Sequence, residues 1–227
     1  MLLGLLMSGN IQGAIISFVI SVPLIILILS THEYAHGLVA NKLGDPTAEN
    51  RGRLTLNPLK HIDPLGFLMF LLIGIGYAKP VPICDRYFKK PKRDMALVAA
   101  AGPLANLLLA LIFTLLVKIL FLIAPFLSLD GWQMEAAQYA YIIFDYGMYY
   151  SLAFMIFNLI PVPPLDGSRI LYAFLPQKAL LWVQKYEQYF LWGLFGLFLV
   201  CSILNISIIS VVVKFLMNIL YKIFFIS

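Results

Sequence analysis

Charge is what this sequence has least of. Only 12% of its 227 residues are Asp, Glu, Lys or Arg, against 62% that are hydrophobic, where a typical soluble domain carries about 25% charged residues. That balance excludes a soluble globule. The apolar residues come in long uninterrupted runs of the kind that cross a bilayer. Cysteine is scarce as well: Cys84 and Cys201 make neither a CxxC pair nor a disulfide framework, and Cys201 sits in an apolar run as an inert helix residue. Histidine occurs only at positions 32, 36 and 61. No repeat, low-complexity tract or appended soluble domain is visible. The N-terminus lacks a basic leader and a small-residue cleavage site, so it reads as retained rather than as a removed signal peptide.

What charge there is sits in one place. The formal net charge is +5, and ten of the sixteen Lys and Arg residues fall between Lys42 and Arg93. A basic block between membrane spans marks the cytoplasmic side. It shows none of the aromatic interleaving that would point to RNA or DNA, so no nucleic-acid partner is expected. The sequence predicts an all-α polytopic membrane protein, one integral-membrane domain over residues 1–227, built as a bundle of four to six transmembrane helices. Core spans are expected at about 11–43, 95–122 and 136–160, and C-terminal spans at about 189–204 and 206–226. The first helix should run on through residues 32–44 and stop at Gly44. Small residues at the start of the second span, Ala96, Ala99, Ala100, Ala101, Gly102 and Ala105, allow close helix approach.

Between the first two spans an insertion is expected. Alternation of Arg51, Arg53 and Thr55 with Leu54 and Leu56 suggests a small β-hairpin or extended edge. Residues 67–77 are apolar but too short to span, and Gly74 and Gly76 interrupt them, which suggests a re-entrant segment. The 124–135 loop has no Lys or Arg and should face outward. The first span then runs from outside to inside, so the stretches around residues 32–36 and 161–167 lie toward the same, cytoplasmic side.

Residues 32–36 read HEYAH, a match to H-E-x-x-H. On a helix His32 and His36 are about 40° apart in azimuth and one turn apart in height, so both imidazoles reach one tetrahedral zinc. Glu33 lies beside them, free of ligation, as a general base for an activated water. The plainer reading is a pair of surface histidines, but the motif follows twenty uncharged residues, where ionisable groups are costly and usually functional. A catalytic zinc needs a third protein ligand. Asp166 follows a span on the expected side, after prolines that fix an extended backbone and before Gly167, which permits a sharp turn. Its plainer role is a helix cap, and His61 is the competing third ligand. Asn106 and Asn158 are polar residues in apolar spans; a helix-to-helix hydrogen bond worth about 1 kcal/mol would explain either.

HEYAH in the first core helix, AGPLAN opening the second and NLIPVPPLDG closing the third together resemble the site-2 protease family of intramembrane metalloproteases. The intervening residues 44–66 and 78–82 resemble its compact bacterial and archaeal members without PDZ or CBS domains, and the resemblance covers about residues 30–176. It implies one zinc per chain held by His32, His36 and Asp166, with Glu33 activating the water. It implies that Asn158 stabilises the oxyanion or holds the substrate, with Asn106 as a weaker member of the same set. Single-span membrane proteins in the lipid bilayer would be the substrates, the protein being a multi-pass protein of the cell membrane and open to homo-oligomer formation. An unwound substrate could add as a strand to an edge in residues 49–57 or 67–82. The competing class is a membrane metal transporter or metal-binding regulator, which has no need of Glu33. A membrane zinc protease of another type would recruit a later Glu, but Glu49, Glu135 and Glu187 lie in no suitable helical motif.

Overall fold

With no water in a bilayer core, an apolar run must satisfy its backbone internally, and helices do this within one segment. A computed structural model describes residues 11–73, 79–126, 130–204 and 208–225. In chain order its helices are α1 (Ile11–Lys42), α2 (Thr47–Asn50), α3 (Pro64–Ile73), α4 (Pro91–Ile123), α5 (Trp132–Leu159), α6 (Asp166–Tyr172), α7 (Gln177–Lys185), α8 (Glu187–Ile203) and α9 (Ile208–Phe225), with short 3₁₀ turns at Pro58–Lys60, Asp85–Tyr87 and Ala124–Phe126. Among the described residues, four helices are long and apolar enough to cross a membrane: Ile15–Lys42, Pro91–Phe126, Trp132–Leu159 and Ile208–Phe225. The fourth expected span, α8, has 17 residues, about 25 Å of helix. The first helix passes unbroken through HEYAH to Lys42, with Pro23 inside it.

The second span begins at Pro91, four residues before the expected start. Pro91 takes the first helical position, where its missing N–H is no loss. The Asp94 carboxylate accepts the backbone N–H of Lys90 at 2.9 Å and pairs with Arg93 at 2.6 Å. Charge that looks like loop is here the start of a helix.

α4 packs against α1 and α5, while α9 closes against α5 and α4. Leu24, Ala110, Phe113, Met148, Leu152, Val213 and Met217 form the buried apolar core between them. Tyr221 of α9 donates to Asp145 of α5, and Ser21 of α1 shares a 2.9 Å hydrogen bond with Tyr150. A second cluster, Ala40, Phe88 and Val98, joins the C-terminal end of α1 to the start of α4.

The expected β-hairpin is absent: no strand forms among the described residues between α1 and α4, only an isolated bridge at Ile62. Local caps defeat the short alternation. Asp45 accepts the N–H of Thr47 at 2.9 Å and starts α2, and Asn57 accepts the N–H of Leu59 at 3.1 Å and starts a 3₁₀ turn. Arg53, read as the polar face of a strand, is turned inward and 8% exposed. Its guanidinium donates to the carbonyls of Lys79 and Pro80 at 2.6 and 3.1 Å. The apolar 67–77 segment appears as the ten-residue α3, about 15 Å long and too short to span; Gly74 and Gly76 lie outside the described residues.

Phe113 sits at the centre of the bundle, and a Cβ at Gly147 would come within 2.6 Å of its ring. Phe113→Ala is expected to lower stability by about 3 kcal/mol, read from reversible unfolding in detergent micelles. A loss below about 0.5 kcal/mol would place the ring outside the core.

Candidate metal centre

α1 and α4 pass each other so that the end of one meets the beginning of the other, and the stretch after α5 returns to the same end of the bundle. His32 and His36 lie on one face of α1, 4% and 6% exposed. Their rings are perpendicular, with centroids 4.6 Å apart, and their Nε2 atoms are 3.0 Å apart. Asp166, the first residue of α6, brings Oδ2 to 3.1 Å from His32 Nε2 and 3.2 Å from His36 Nε2.

This triangle is the size that a zinc ion needs. Ligands at about 2.0–2.1 Å in tetrahedral geometry stand about 3.3 Å from one another. The Oδ2 atom of Asp166 is buried and accepts no well-directed hydrogen bond. These three residues form a group whose ligand atoms could close on one metal ion. Burial opposes ionisation of Asp166, but the two imidazoles outweigh it and hold its carboxyl below the ordinary carboxylate range.

Five of the expected side chains come together in one place. Glu33, His32, His36, Asn158 and Asp166 line a cavity of about 150 Å³, joined by Arg169, which was not among them. Asn158 Nδ2 donates to the Phe154 carbonyl of its own helix at 3.0 Å, which uses one of its two amide hydrogens. Asn106 is fully buried against His32, outside the cavity lining. His61 does not join the group. Its ring Nε2 donates to the Thr55 carbonyl at 2.7 Å, and its own carbonyl accepts the Lys79 N–H at 2.9 Å, so it ties two loops together. Gly167 is needed for a different reason than a turn. It lies inside α6, where a Cβ would come within 2.3 Å of the Leu159 carbonyl.

Several contributing residues carry no signal that the sequence displays. The Val98 carbonyl accepts from His36 Nδ1 at 2.7 Å, which fixes the tautomer that leaves Nε2 bare. The backbone N–H of Val81 donates to Glu33 Oε2 at 2.8 Å. That places residues 79–81, themselves held by Arg53 and His61, as a strap over the Glu33 carboxylate. Gly102, expected to allow close helix approach, makes room for both imidazoles: a Cβ there would fall 2.5 Å from His32 Cε1 and His36 Nε2. The neighbouring run of small residues was the one available hint.

Each ring is held from behind, so neither can yield to that methyl group cheaply. Gly102→Ala is expected to weaken zinc binding by about 100-fold or more while the protein still folds. Competition with a chromophoric chelator on purified protein checks this, and unchanged affinity would contradict the placement.

Comparison with known proteins gives the setting. The model of Peptidase family M50 matches residues 18–145 and 123–200. YwhC of Bacillus subtilis, provisionally named a zinc metalloprotease, is 43% identical over 155 residues, which covers 67% of either chain. Rip2 of Mycolicibacterium smegmatis, named in the same provisional way, is 32% identical over 144 residues, 61% of this chain and 51% of its own. Rip2 of Mycobacterium tuberculosis is 31% identical over 175 residues, 74% of this chain and 62% of its own. The chain thus spans between half and two thirds of the length of these relatives. No solved structure matches it. The zinc named for the relatives suits the two imidazoles and the carboxylate found here. With a family match from residue 18 to residue 200 and four helices of membrane length, the chain is a multi-pass membrane protein of peptidase family M50.

Proposed function

We propose that this protein is an intramembrane zinc metalloprotease that hydrolyses peptide bonds of transmembrane substrates, with Glu33 as general base. The observation that carries the reading is the triangle of His32, His36 and Asp166 sharing one cavity with Glu33. His32, His36 and Asp166 would hold one zinc ion. When bound, zinc supplies Lewis acidity, which lowers the pKa of a water and polarises a carbonyl. Val81 donates to Glu33 Oε2, which leaves Oε1 to take a proton from a water and pass it to the leaving amine. Asn158 keeps its second amide hydrogen for the oxygen that becomes negative in the transition state.

Access follows from where the site lies. His32 is ten residues from the end of α1 at Lys42, about 15 Å along the helix, and farther from its start at Ile11, so water has its shorter path from the Lys42 end. The basic 42–93 block supports the cytoplasmic face as that side. A substrate helix hides its carbonyls in its own hydrogen bonds and must unwind before Glu33 can deliver a water to it. A metal-transport reading is weaker, because it leaves Glu33 without a task and expects ligands from several spans.

Glu33→Gln keeps the shape of the side chain and removes the base. Cleavage of a single-span reporter should fall by about 10²–10⁴-fold with zinc content unchanged, measured in reconstituted vesicles. Persistent cleavage would overturn the proposal.

A further inference from the structure

Val98, Gly102 and Asn106 recur every four residues and therefore share one face of α4. Facing them across the helix pair stand His36 and His32. Val98 meets His36, Gly102 leaves space for both rings, and Asn106 meets His32. The partner of His36 is a carbonyl oxygen, which can only accept. The partner of His32 is an amide, which can do either.

As placed, Asn106 turns Nδ2 to His32 Nδ1 at 3.0 Å, and its Oδ1 is buried without a hydrogen-bond partner. A neutral imidazole whose Nδ1 accepts must carry its hydrogen on Nε2. That hydrogen would point into the triangle with His36 and Asp166, and such a ring could not ligate a metal. The two ends of an amide have nearly the same shape, and hydrogen bonding decides their order. Turning the Asn106 amide over sets Oδ1 against His32 Nδ1 and frees Nε2.

We infer that Asn106 is a positioning residue: its amide oxygen accepts the Nδ1–H of His32 and so fixes the ring with Nε2 toward the metal. This rests on the zinc-protease reading above. Asn106 is fully buried, so it acts through His32 and not on substrate. Ligating histidines elsewhere commonly donate their second ring nitrogen to an acceptor, and losing that acceptor typically costs 10–100-fold in metal affinity. On α4 the backbone meets that need for one ring and a side chain meets it for the other.

The test is zinc affinity, by chelator competition, of the full chain in detergent. Asn106→Leu removes the acceptor and should weaken zinc about 10–100-fold. Asn106→Asp offers only acceptors and should restore affinity to within a few-fold of the unsubstituted protein, a rescue that a merely structural amide would not show. Equal affinity for N106L and the unsubstituted protein, or weak binding by N106D, would overturn the inference. Where a variant fails to fold, ¹⁵N-histidine spectra of the zinc-loaded unsubstituted protein decide: a hydrogen-bonded proton on His32 Nδ1 supports it, and a bare Nδ1 overturns it. Unsubstituted protein that binds no zinc would instead overturn the zinc-protease reading together with the inference.

Discussion

Two imidazole nitrogens and one carboxylate oxygen, held 3.0 to 3.2 Å apart and nearly out of reach of solvent, set the terms for everything around them. Electron-rich atoms at that spacing repel one another unless positive charge lies between them, and in a poorly polar interior the repulsion is little screened. Three elements of the fold bring them together. α1 supplies two of the atoms one helical turn apart, and the prolines before Asp166 bring the third. α4 backs the rings, with a glycine where any larger residue would occupy the site.

The same end of the bundle solves a second problem. In the proposed reaction the base beside the metal must be held off the metal and kept facing the substrate. Glu33 is one residue from a ligand and is tethered by a backbone N–H at Val81. The tether depends in turn on Arg53 and His61, which pin residues 79 and 80 from a neighbouring loop. A charged donor shared by two carbonyls is worth more than an ordinary hydrogen bond, which explains a nearly buried arginine at the edge of a membrane protein. The basic insertion thus holds the Glu33 carboxylate, the base of the proposed reaction.

Much of this was legible in the sequence, for identifiable reasons. His32, Glu33 and His36 announce themselves because their spacing matches one helical turn within an uncharged run. Asp166 could be singled out because the charge-based topology expected it on the same side as the histidines, directly after prolines that fix an extended backbone. Hidden were the contacts that come from helix pairing: nothing local marks Val98 and Gly102 as facing His36 and His32, and Asn106 was singled out without His32 as its partner. Backbone groups such as the N–H of Val81 leave no trace in a side-chain pattern. The insertion was misread because two polar–apolar pairs, Arg53–Leu54 and Thr55–Leu56, are too few to outweigh the local turns set by the Asp45 carboxylate and the Asn57 cap.

Zinc K-edge X-ray absorption on the purified, zinc-loaded protein tests the centre most directly. Two imidazoles and a carboxylate predict only nitrogen and oxygen neighbours at about 2.0–2.1 Å, with imidazole scattering from two rings and one zinc per chain. A sulfur neighbour, scattering from three imidazoles, or less than stoichiometric zinc after loading would contradict the centre formed by His32, His36 and Asp166.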